Sequence, residues 1–260
     1  MFKNNLLIHL RAIAKKPKLF LINIFGLSVG IASCMLCYLH IDYERSFDRY
    51  HQQSENIFRL VNGDLAAGEG WVKVSAPIPP KLASDIPEIK SYARLTKITY
   101  DTKVTVDYAG NFFNEEEFYM ADPALLEMFD IPIVSGSKEQ ALEDMNSVII
   151  SESIAHKIFG DKDPIGETIH VDGQFDFTVK AIFADIPLNS HLSFDFLIDF
   201  ANLERMFKGT SLTANWGQFN YFAYLQLHAS DQEKIVEEKI ANTNIDLGKN
   251  EKMGLEDVNL

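Results

Sequence analysis

An uncharged apolar run of 21 residues, from Leu19 to Leu39, constrains this chain more than any other feature. As a helix that rises about 1.5 Å per residue, the run is roughly 31 Å long and matches a hydrocarbon core of about 30 Å. Eleven of its residues are Leu, Ile, Phe or Val, the side chains that favour membrane insertion most strongly. The run therefore predicts one transmembrane helix.

Two other interpretations of the run compete with this one. The segment Ile31-Ala32-Ser33-Cys34 resembles a lipoprotein processing site, and a cleaved signal peptide also contains an apolar stretch near its start. However, a signal-peptide core usually spans about 7 to 15 residues, and this run is longer and continues past Cys34 to Leu39. Retention of the helix in the membrane is the favoured interpretation.

The charges on the two sides of the run predict its orientation. Five basic residues and no acidic residue precede it, namely Lys3, Arg11, Lys15, Lys16 and Lys18. By the positive-inside rule, the N-terminus lies in the cytoplasm and the rest of the chain lies on the other side of the membrane. Residues 42–260 hold 19 basic and 37 acidic residues, a formal charge of −18. So acidic a region argues against nucleic acid and against broad contact with anionic lipid.

Small residues follow one face of the predicted span. Gly26 and Gly30 form a Gly-x-x-x-Gly pair, and Cys34 extends it by one more turn. This spacing lets a second helix approach closely within lipid, so we predict a helix-packing face at these three residues. Cys34 and Cys37 are the only cysteines, and a thiolate is unfavourable in lipid, which disfavours a redox role. The exported part must therefore be stable without a disulfide.

The segments that flank the span also have helical patterns. Phe2, Leu6, Leu10 and Ile13 recur at helical spacing, which predicts an amphipathic cytoplasmic helix within residues 1–17 that lies on the membrane lipid. Pro17 would set a bend between this helix and the span. Apolar character continues past the membrane to about Tyr50, so residues 18–50 are predicted to form the transmembrane helix and a rigid stalk.

The remaining residues predict a mixed α+β domain of alternating short elements. Asp122 is predicted to cap a helix that has Pro123 at its first position, and Ser151 to cap the helix that Gly160 ends. The strands are expected at 56–62, 91–100 and 103–108 as a hairpin, 111–120, 147–150, 167–171, 175–183, 193–198 and 219–227. The helices are expected at 77–85, after Asp122, and at 152–159, 200–207 and 231–241.

The sequence has no motif that favours catalysis, a cofactor or a metal ion over a structural role. The phosphate-binding pattern Gly-x-x-x-x-Gly-Lys-Ser/Thr does not occur, and no two of the seven histidines have zinc-ligand spacing. The segment from Gly160 to Gly166 is interpreted as a turn rather than a calcium loop, because Ile165 stands where an oxygen ligand is needed. We therefore expect no catalytic residues, no cofactor and no metal ion.

One aromatic stretch suggests a contact surface. Trp216, Phe219 and Tyr221 alternate with amide side chains near the start of a predicted strand. A strand with one buried face would explain the pattern, whereas an exposed aromatic patch would suit a substrate or partner protein. The three residues are kept as a candidate contact patch.

Several segments in a fixed order resemble the MacB/FtsX-like ABC transporter permeases, in the form common among Bacteroidetes. They are 46–51 (Ser-Phe-Asp-Arg-Tyr-His), 56–60 (Asn-Ile-Phe-Arg-Leu), 148–155 (Val-Ile-Ile-Ser-Glu-Ser-Ile-Ala), 159–166 (Phe-Gly-Asp-Lys-Asp-Pro-Ile-Gly), 177–182 (Phe-Thr-Val-Lys-Ala-Ile) and 186–191 (Ile-Pro-Leu-Asn-Ser-His). The resemblance covers nearly the whole chain. It implies that residues 51–260 form a MacB-like periplasmic core domain, with Porter-like βαβ units and a mixed α/β subdomain inserted at about 119–191.

The resemblance also implies a mechanism and partners. In that family, a dimer of permeases is driven by a cytoplasmic ABC ATPase on a separate chain or domain, and the hydrolysis cycle moves the periplasmic domains to export or extract a substrate. A second permease copy and a periplasmic adaptor or substrate protein are thus implied. The chain shows one of the four spans of that family, so the alternative is a membrane-anchored periplasmic binding or scaffold protein without transport.

Overall fold

The computed structural model describes residues 17–44, 54–64, 69–99, 102–187, 190–207, 211–243 and 253–258, and the chain forms two compact units. The first unit is Met1–Phe47 and the second is Asp48–Leu260. The predicted amphipathic helix and the end of the predicted stalk, residues 45–50, lie outside the described residues.

The first unit contains helix α1, Pro17–Glu44. Its 28 residues extend about 42 Å at 1.5 Å per residue. Pro17 is the first helical residue, where its missing N–H would have no partner in any case. Residues 20–41 are long and apolar enough to cross a membrane, and their side chains are exposed on every side. The predicted span is confirmed, and the helix continues five residues beyond the apolar run.

The second unit is rich in strands. Its described strands are β1 (Ile57–Asp64), β2 (Glu69–Trp71), β3 (Val74–Ser75), β4 (Ile89–Lys97), β5 (Val104–Tyr108), β6 (Asn111–Glu115), β7 (Phe118–Ala121), β8 (Ile133–Gly136), β9 (Ser147–Ser151), β10 (Thr168–Val171), β11 (Phe175–Phe183), β12 (Phe196–Asp199), β13 (Phe219–Leu227) and β14 (Met253–Asp257). Its described α-helices are α2 (Ile78–Asp85), α3 (Ala124–Met128), α4 (Glu152–Phe159), α5 (Asn202–Met206) and α6 (Glu233–Ala241). The predicted α+β class is confirmed.

The described strands form one continuous sheet. Its order is β14-β1-β13-β4-β7-β12-β9-β11-β10-β5-β6, with β2, β3 and β8 paired at the sides of β1, β13 and β11. Most neighbours are antiparallel, but β9 pairs in parallel with β11, and β7 with β12. Helix α4 connects β9 towards β11, so this part of the sheet is a βαβ unit with β10 as an added hairpin strand. The proposed boundaries of an inserted subdomain, 119 and 191, remain a prediction.

Three apolar clusters stabilise the sheet. One lies beneath α4 and contains the stacked rings of Phe118 and Phe196, whose centroids are 4.8 Å apart. A second surrounds Phe129 at the end of α3, and a third lies between the sheet and helices α2 and α6. Strand β9 lies inside the sheet and all five of its residues are buried. This burial is consistent with the uninterrupted apolar run of Val148, Ile149 and Ile150.

The predicted hairpin of 91–100 with 103–108 is wrong. Strand β4 pairs with β13 on one side and β7 on the other, whereas β5 pairs with β10 and β6. The actual hairpin joins β5 to β6 through Ala109 and Gly110, whose φ angles are 52° and 82°. Positive φ at both central residues gives the turn whose twist matches antiparallel strands, and that geometry fixes the pairing.

Two further expectations are corrected, and two local ones are confirmed. The predicted strand 111–120 is broken after Glu115, because β7 leaves the hairpin to pair with β4 and β12. Asp122 does not cap α3, because its carboxylate accepts hydrogen bonds from Arg94 instead. Ser151 does cap α4, accepting from the Ile154 N–H, and Gly160 ends that helix with φ of 61°. Strands β2, β3, β8 and β14 were not predicted.

Candidate functional site

The three predicted helix-packing residues share one face of α1. Gly26, Gly30 and Cys34 line a shallow groove of about 580 Å³, together with Leu27, Ile31, Met35 and Tyr38. A Cβ atom added at either glycine would meet no atom within 4 Å. The face is therefore open along three turns, as the spacing predicts, and its occupation by a second helix remains a prediction.

The predicted aromatic patch is only partly a surface. Trp216 is 41% exposed and Phe219 is half-buried, but Tyr221 is 2% exposed. The Tyr221 ring packs edge-on against Phe200 at a centroid distance of 5.5 Å, because alternation along β13 turns it into the core. Tyr221 is thus a core residue, and its assignment to a contact surface is wrong.

A residue that the sequence did not single out belongs to the same end of the domain. Trp71 ends β2 and is 60% exposed, and its strand partner is Asn62 on β1. Between β2 and β3, the Lys73 Nζ lies 5.3 Å from the ring centroid of Phe222. We define the aromatic end by the exposed or half-buried rings of Trp71, Trp216, Phe219 and Phe222. It contains both tryptophans of the chain.

Hydrogen bonds hold the aromatic end to the sheet. The Ser75 hydroxyl donates to the backbone carbonyl of Trp216, and Ser75 itself pairs with Phe219 on β13. The Gly217 N–H donates to Asn215 Oδ1 at 3.0 Å, which shapes the turn that follows Trp216. Exposed aromatic rings on such a fixed backbone are suited to contact another protein, because little side-chain freedom is lost on binding.

The aromatic end lies opposite the end at which the chain enters this unit. Ile57 starts β1 and pairs with Gln226, and Phe58 pairs with Asp257 near the end of β14. Asn62, the partner of Trp71, is five residues further along β1, which is about 17 Å. The first residues of the sheet and its exposed tryptophans are therefore at different ends.

A half-buried ion pair connects the elements beneath the aromatic end. Arg94 on β4 donates two hydrogen bonds to the Asp122 carboxylate, from Nε at 2.8 Å and from Nη2 at 2.7 Å. Its Nη1 donates to the Ala76 carbonyl at 3.2 Å, and its guanidinium lies 4.0 Å from the Phe200 ring centroid. This one side chain therefore links β4, the end of β7, the segment before α2 and the end of β12.

The electrostatics of this pair follow from its burial. Burial alone would lower the pKa of the Arg94 guanidinium, but the hydrogen bonds and charge of Asp122 outweigh burial and raise that pKa. Burial raises the pKa of nearby Asp199, and the charge of Asp122 acts in the same direction. The arrangement stabilises structure, because the Nε, Nη1 and Nη2 atoms of Arg94 each donate to a protein atom.

A polar cleft lies at the start of α4. It has a volume of about 420 Å³ and is lined by Ser153, Asp185, Ile186, Pro187, Ser190, Leu192, Ser193, Phe194 and Asp195. The Ser151 hydroxyl donates to Asp195 Oδ1 at 2.9 Å, and the Ser153 N–H donates to Asp185 Oδ1 at 3.0 Å. Burial raises the pKa of Asp195, although the hydrogen bond from Ser151 opposes the shift. These groups satisfy the first turn of α4, which is a structural task.

The glycine-flanked segment after α4 is also structural. The Gly166 N–H donates to the Val179 carbonyl at 2.8 Å, and Lys162 Nζ pairs with Glu167 at 2.8 Å. Tyr108 donates to the same Glu167 at 2.8 Å, which fastens the segment to β5. The interpretation of this segment as a turn is confirmed. Within the described residues, no three His, Cys, Asp or Glu side chains come together in a way that could hold a metal ion.

Comparison with known proteins gives this architecture a family. The profile described as MacB-like periplasmic core domain matches residues 20–243, from the first turn of α1 to two residues past the end of α6. The chain belongs to the MacB-like periplasmic core domain family. The predicted resemblance is therefore confirmed over 224 residues, and with it the assignment to ABC transporter permeases. The search of curated proteins returned no match.

Solved structures share the fold of this MacB-like domain. A domain assigned to a permease from Porphyromonas gingivalis has a TM-score of 0.66 at 21% identity, over 80% of this chain and 92% of that one. The periplasmic region of MacB from Actinobacillus actinomycetemcomitans has a TM-score of 0.56 at 13% identity, over 78% and 89%. The extracellular domain of the noncanonic ABC-type transporter YknZ from Gram-positive bacteria has a TM-score of 0.53 at 16% identity, over 77% and 99%.

Proposed function

We propose that this chain is the N-terminal part of a MacB/FtsX-type permease subunit, which couples cytoplasmic ATP hydrolysis to conformational change in its periplasmic domain for export or extraction of a substrate. One observation carries the proposal. The family match starts inside the apolar helix and continues through the sheet domain to residue 243, so the anchor and the domain match as one unit.

The proposed topology has a cytoplasmic N-terminus, α1 across the inner membrane and the acidic domain in the periplasm. The five basic residues before α1 support this orientation, because basic residues remain on the cytoplasmic side. Protease added to intact spheroplasts should therefore digest the domain. A domain that stays intact there, but is digested after lysis, would place it in the cytoplasm and overturn the proposal.

The proposed mechanical coupling would reach the sheet domain at strand β1. Helix α1 is continuous over 28 residues, and the chain that follows it enters the sheet at β1. Strand β1 is hydrogen-bonded to both β14 and β13, so a displacement of its start would be transmitted to both of these strands. The Arg94–Asp122 pair would extend that rigidity across β4 and β7.

Two surfaces are proposed to contact partners. The face of Gly26, Gly30 and Cys34 would pack against a second permease copy or another span of the same permease. The aromatic end, through Trp216 and Phe219 and with Trp71 added, would bind a periplasmic adaptor or substrate protein. Tyr221 has no part in this contact.

The test is purification of the full-length gene product from membranes in mild detergent. We expect a cytoplasmic ABC ATPase to co-purify, and hydrogen exchange in β1 and β13 to differ between nucleotide-free complex and a complex trapped with ATP by a hydrolysis-deficient ATPase. Absence of any ATPase, or identical exchange in both states, would contradict the coupling.

An anchored binding protein is the second candidate function. The exposed tryptophans favour it, because a partner can bind the aromatic end without any ATPase. Double substitution of Trp71 and Trp216 by Ser separates the two candidates. If the chain is part of a transporter, the double variant should lose binding of the partner protein but should still co-purify with the ATPase. If it is a binding protein, no ATPase should co-purify with the natural chain or with the double variant.

A further inference from the structure

The sheet of this domain ends at strand β6, whose outer side pairs with no other strand of the described sheet. Strand β6 is the last strand in the order of the described sheet, and β5 covers only one of its two sides. Natural edge strands usually have Lys, Pro or a bulge that discourages pairing with another chain. Residues 111–115 are Asn, Phe, Phe, Asn and Glu, and their pairing with β5 is regular from end to end.

The hairpin geometry determines which backbone groups face outward. In a two-residue turn of this type, the flanking residues Tyr108 and Asn111 exchange hydrogen bonds, so Phe113 and Glu115 also bond towards β5. The N–H and C=O groups of Phe112 and Asn114 consequently point away from β5. The same alternation on β5 is seen directly, because the Thr105 carbonyl faces outward and accepts from the Asp172 N–H at 2.8 Å.

The side chains of β6 differ on its two faces. Phe112 is 71% exposed, the most exposed aromatic ring of the described sheet domain. Phe113 packs against the core cluster beneath α4, and the carboxylate of Glu115 is buried and paired with Lys157 of α4. An apolar ring on an open edge is costly in water unless something covers it.

We propose that β6 pairs antiparallel with β6 of a second copy of this chain, centred on Phe113. This inference rests on the proposed function, which supplies the second permease copy. Phe112 of each copy then exchanges two backbone hydrogen bonds with Asn114 of the other, and the two Phe113 rings lie directly opposite each other. All five residues of β6 are paired, and its outward backbone groups are satisfied.

The local charges of the strand favour this centre over the neighbouring register. Centred on Phe113, Glu115 faces Asn111 of the second copy and Glu116 faces Gly110, so no carboxylate is opposite another. The two Glu116 residues are about 20 Å apart, which exceeds the screening length of about 8 Å at physiological salt. Centring on Asn114 would instead place Glu116 opposite Phe112 and would need residues beyond the end of β6.

The membrane explains how so short a contact is maintained. Pairing of five residues buries far less than the roughly 1,000 Å² that a stable soluble interface needs. Two copies held in one membrane have a high effective concentration, so a weak contact becomes populated. The pairing is therefore expected in membranes and is lost on dilution in detergent.

Disulfide cross-linking in membranes tests the register. In the full-length chain with Cys34→Ala and Cys37→Ala, Phe113→Cys places one thiol opposite its copy at a Cα distance of about 4.5 Å, within disulfide range. Copper phenanthroline should then produce a covalent dimer at least about tenfold faster than with Thr168→Cys, an exposed position on the interior strand β10. Equal rates for the two variants would overturn the inference.

A second substitution keeps the test independent of Phe113 packing. Asn114→Pro removes an outward N–H and leaves the bonds between β6 and β5 intact, so the domain should keep its melting temperature. Added to Phe113→Cys, it should slow cross-linking roughly tenfold, whereas Asn114→Ala should not slow it. Unchanged cross-linking with Asn114→Pro would show chance collision and overturn the inference.

The same membranes separate this inference from the proposed function. If the natural chain forms a dimer cross-linked through Cys34 while the Phe113→Cys variant forms none, the edge pairing fails and the permease proposal stands. If the Phe113→Cys variant forms the dimer but no ATPase co-purifies, the edge pairing stands and the permease proposal fails.

Discussion

Helix α1 and strand β9 are both apolar runs, but they have opposite surroundings. Val148, Ile149 and Ile150 of β9 are fully buried among other strands, whereas Phe25 of α1 is 72% exposed. Exposure of apolar surface to water costs about 25 cal/mol for each Å². The side chains of both runs therefore need apolar surroundings. For β9 the protein provides the apolar surroundings, and for α1 only lipid or another helix can do so. The difference teaches that one composition can serve a core or an anchor, depending on length and neighbours.

The strongest test of this comparison places a carboxylate in each run. Ile149→Asp should unfold the sheet domain, because an unpaired buried charge costs several kcal/mol and total stability is about 5–15 kcal/mol. Ile31→Asp should weaken membrane insertion of α1 by about 3 kcal/mol and leave the melting of the domain unchanged. Thermal melting and membrane partition of the two variants measure these effects. Equal effects on domain melting would show that α1 is part of the core.

The next largest effect on stability is expected from breaking the Arg94–Asp122 ion pair inside the sheet domain. Arg94→Met leaves the Asp122 carboxylate without its partner, which should destabilise the domain by about 3–5 kcal/mol. Arg94→Met combined with Asp122→Leu should recover most of that loss, because both charges are then absent. Denaturant unfolding of the three proteins checks this. If Arg94→Met is as stable as the natural chain, water already solvates the Arg94–Asp122 pair.

Much of the βαβ region could be predicted because its signals are local. Ser151 caps α4, Gly160 ends it, and Asp172 with Gly173 forms the turn between β10 and β11, all within a few residues. Strand partners could not be predicted in the same way. The pairing of β4 with β13 joins residues about 130 positions apart, and no local pattern specifies it.

The candidate surfaces show the same limit. Gly26, Gly30 and Cys34 lie on one face of α1 because of helical periodicity alone, and packing of a second helix against that face remains a prediction. Tyr221 and Trp216 were grouped because both are aromatic, but burial separates them, since β13 turns Tyr221 towards Phe200. Trp71 was missed because its exposure results from the pairing of β2 with β1.

A smaller effect is expected at the start of α4. Ser151→Ala removes the side-chain cap on the Ile154 N–H and should lower the free energy of unfolding by about 1 kcal/mol. Ser153→Ala is the matched control, because Asp185 still accepts from the Ser153 backbone N–H. Denaturant titration compares the two. A larger loss for Ser153→Ala would show that the Ser153 hydroxyl, rather than Ser151, stabilises the first turn.

An effect of similar or smaller size is expected on the open face of α1. Gly30→Leu should not change domain stability or insertion, because a Cβ atom at this position has open space within 4 Å. It should weaken helix association in the membrane by on the order of 1 kcal/mol if that face is packed. Val29→Leu, which lies off the face, is the control. Energy transfer between labelled copies in vesicles measures association, and equal values for both variants would contradict a packed face.

The smallest expected effect on stability comes from His170, whose side chain is exposed to solvent. His170 Nδ1 lies 2.6 Å from Asp176 Oδ1, and Asp107 faces His170 from β5. The hydrogen bond that His170 donates to Asp176 raises the pKa of His170, and the charges of Asp176 and Asp107 act in the same direction. A raised folded-state pKa means that protonation favours folding. This contribution is complete below the unfolded pKa of about 6.5 and is lost as pH rises through the folded value.

The His170 prediction separates a local charge effect from packing. Asp176→Asn should return the pKa of His170 towards its ordinary value and flatten the small dependence of stability on pH in that window. A two-dimensional NMR titration of the imidazole in both proteins measures the shift directly. If the pKa is the same with Asp176→Asn, the solvated carboxylate has no effect on the ring. Charge would then matter in this domain only where burial strengthens it, as at Arg94.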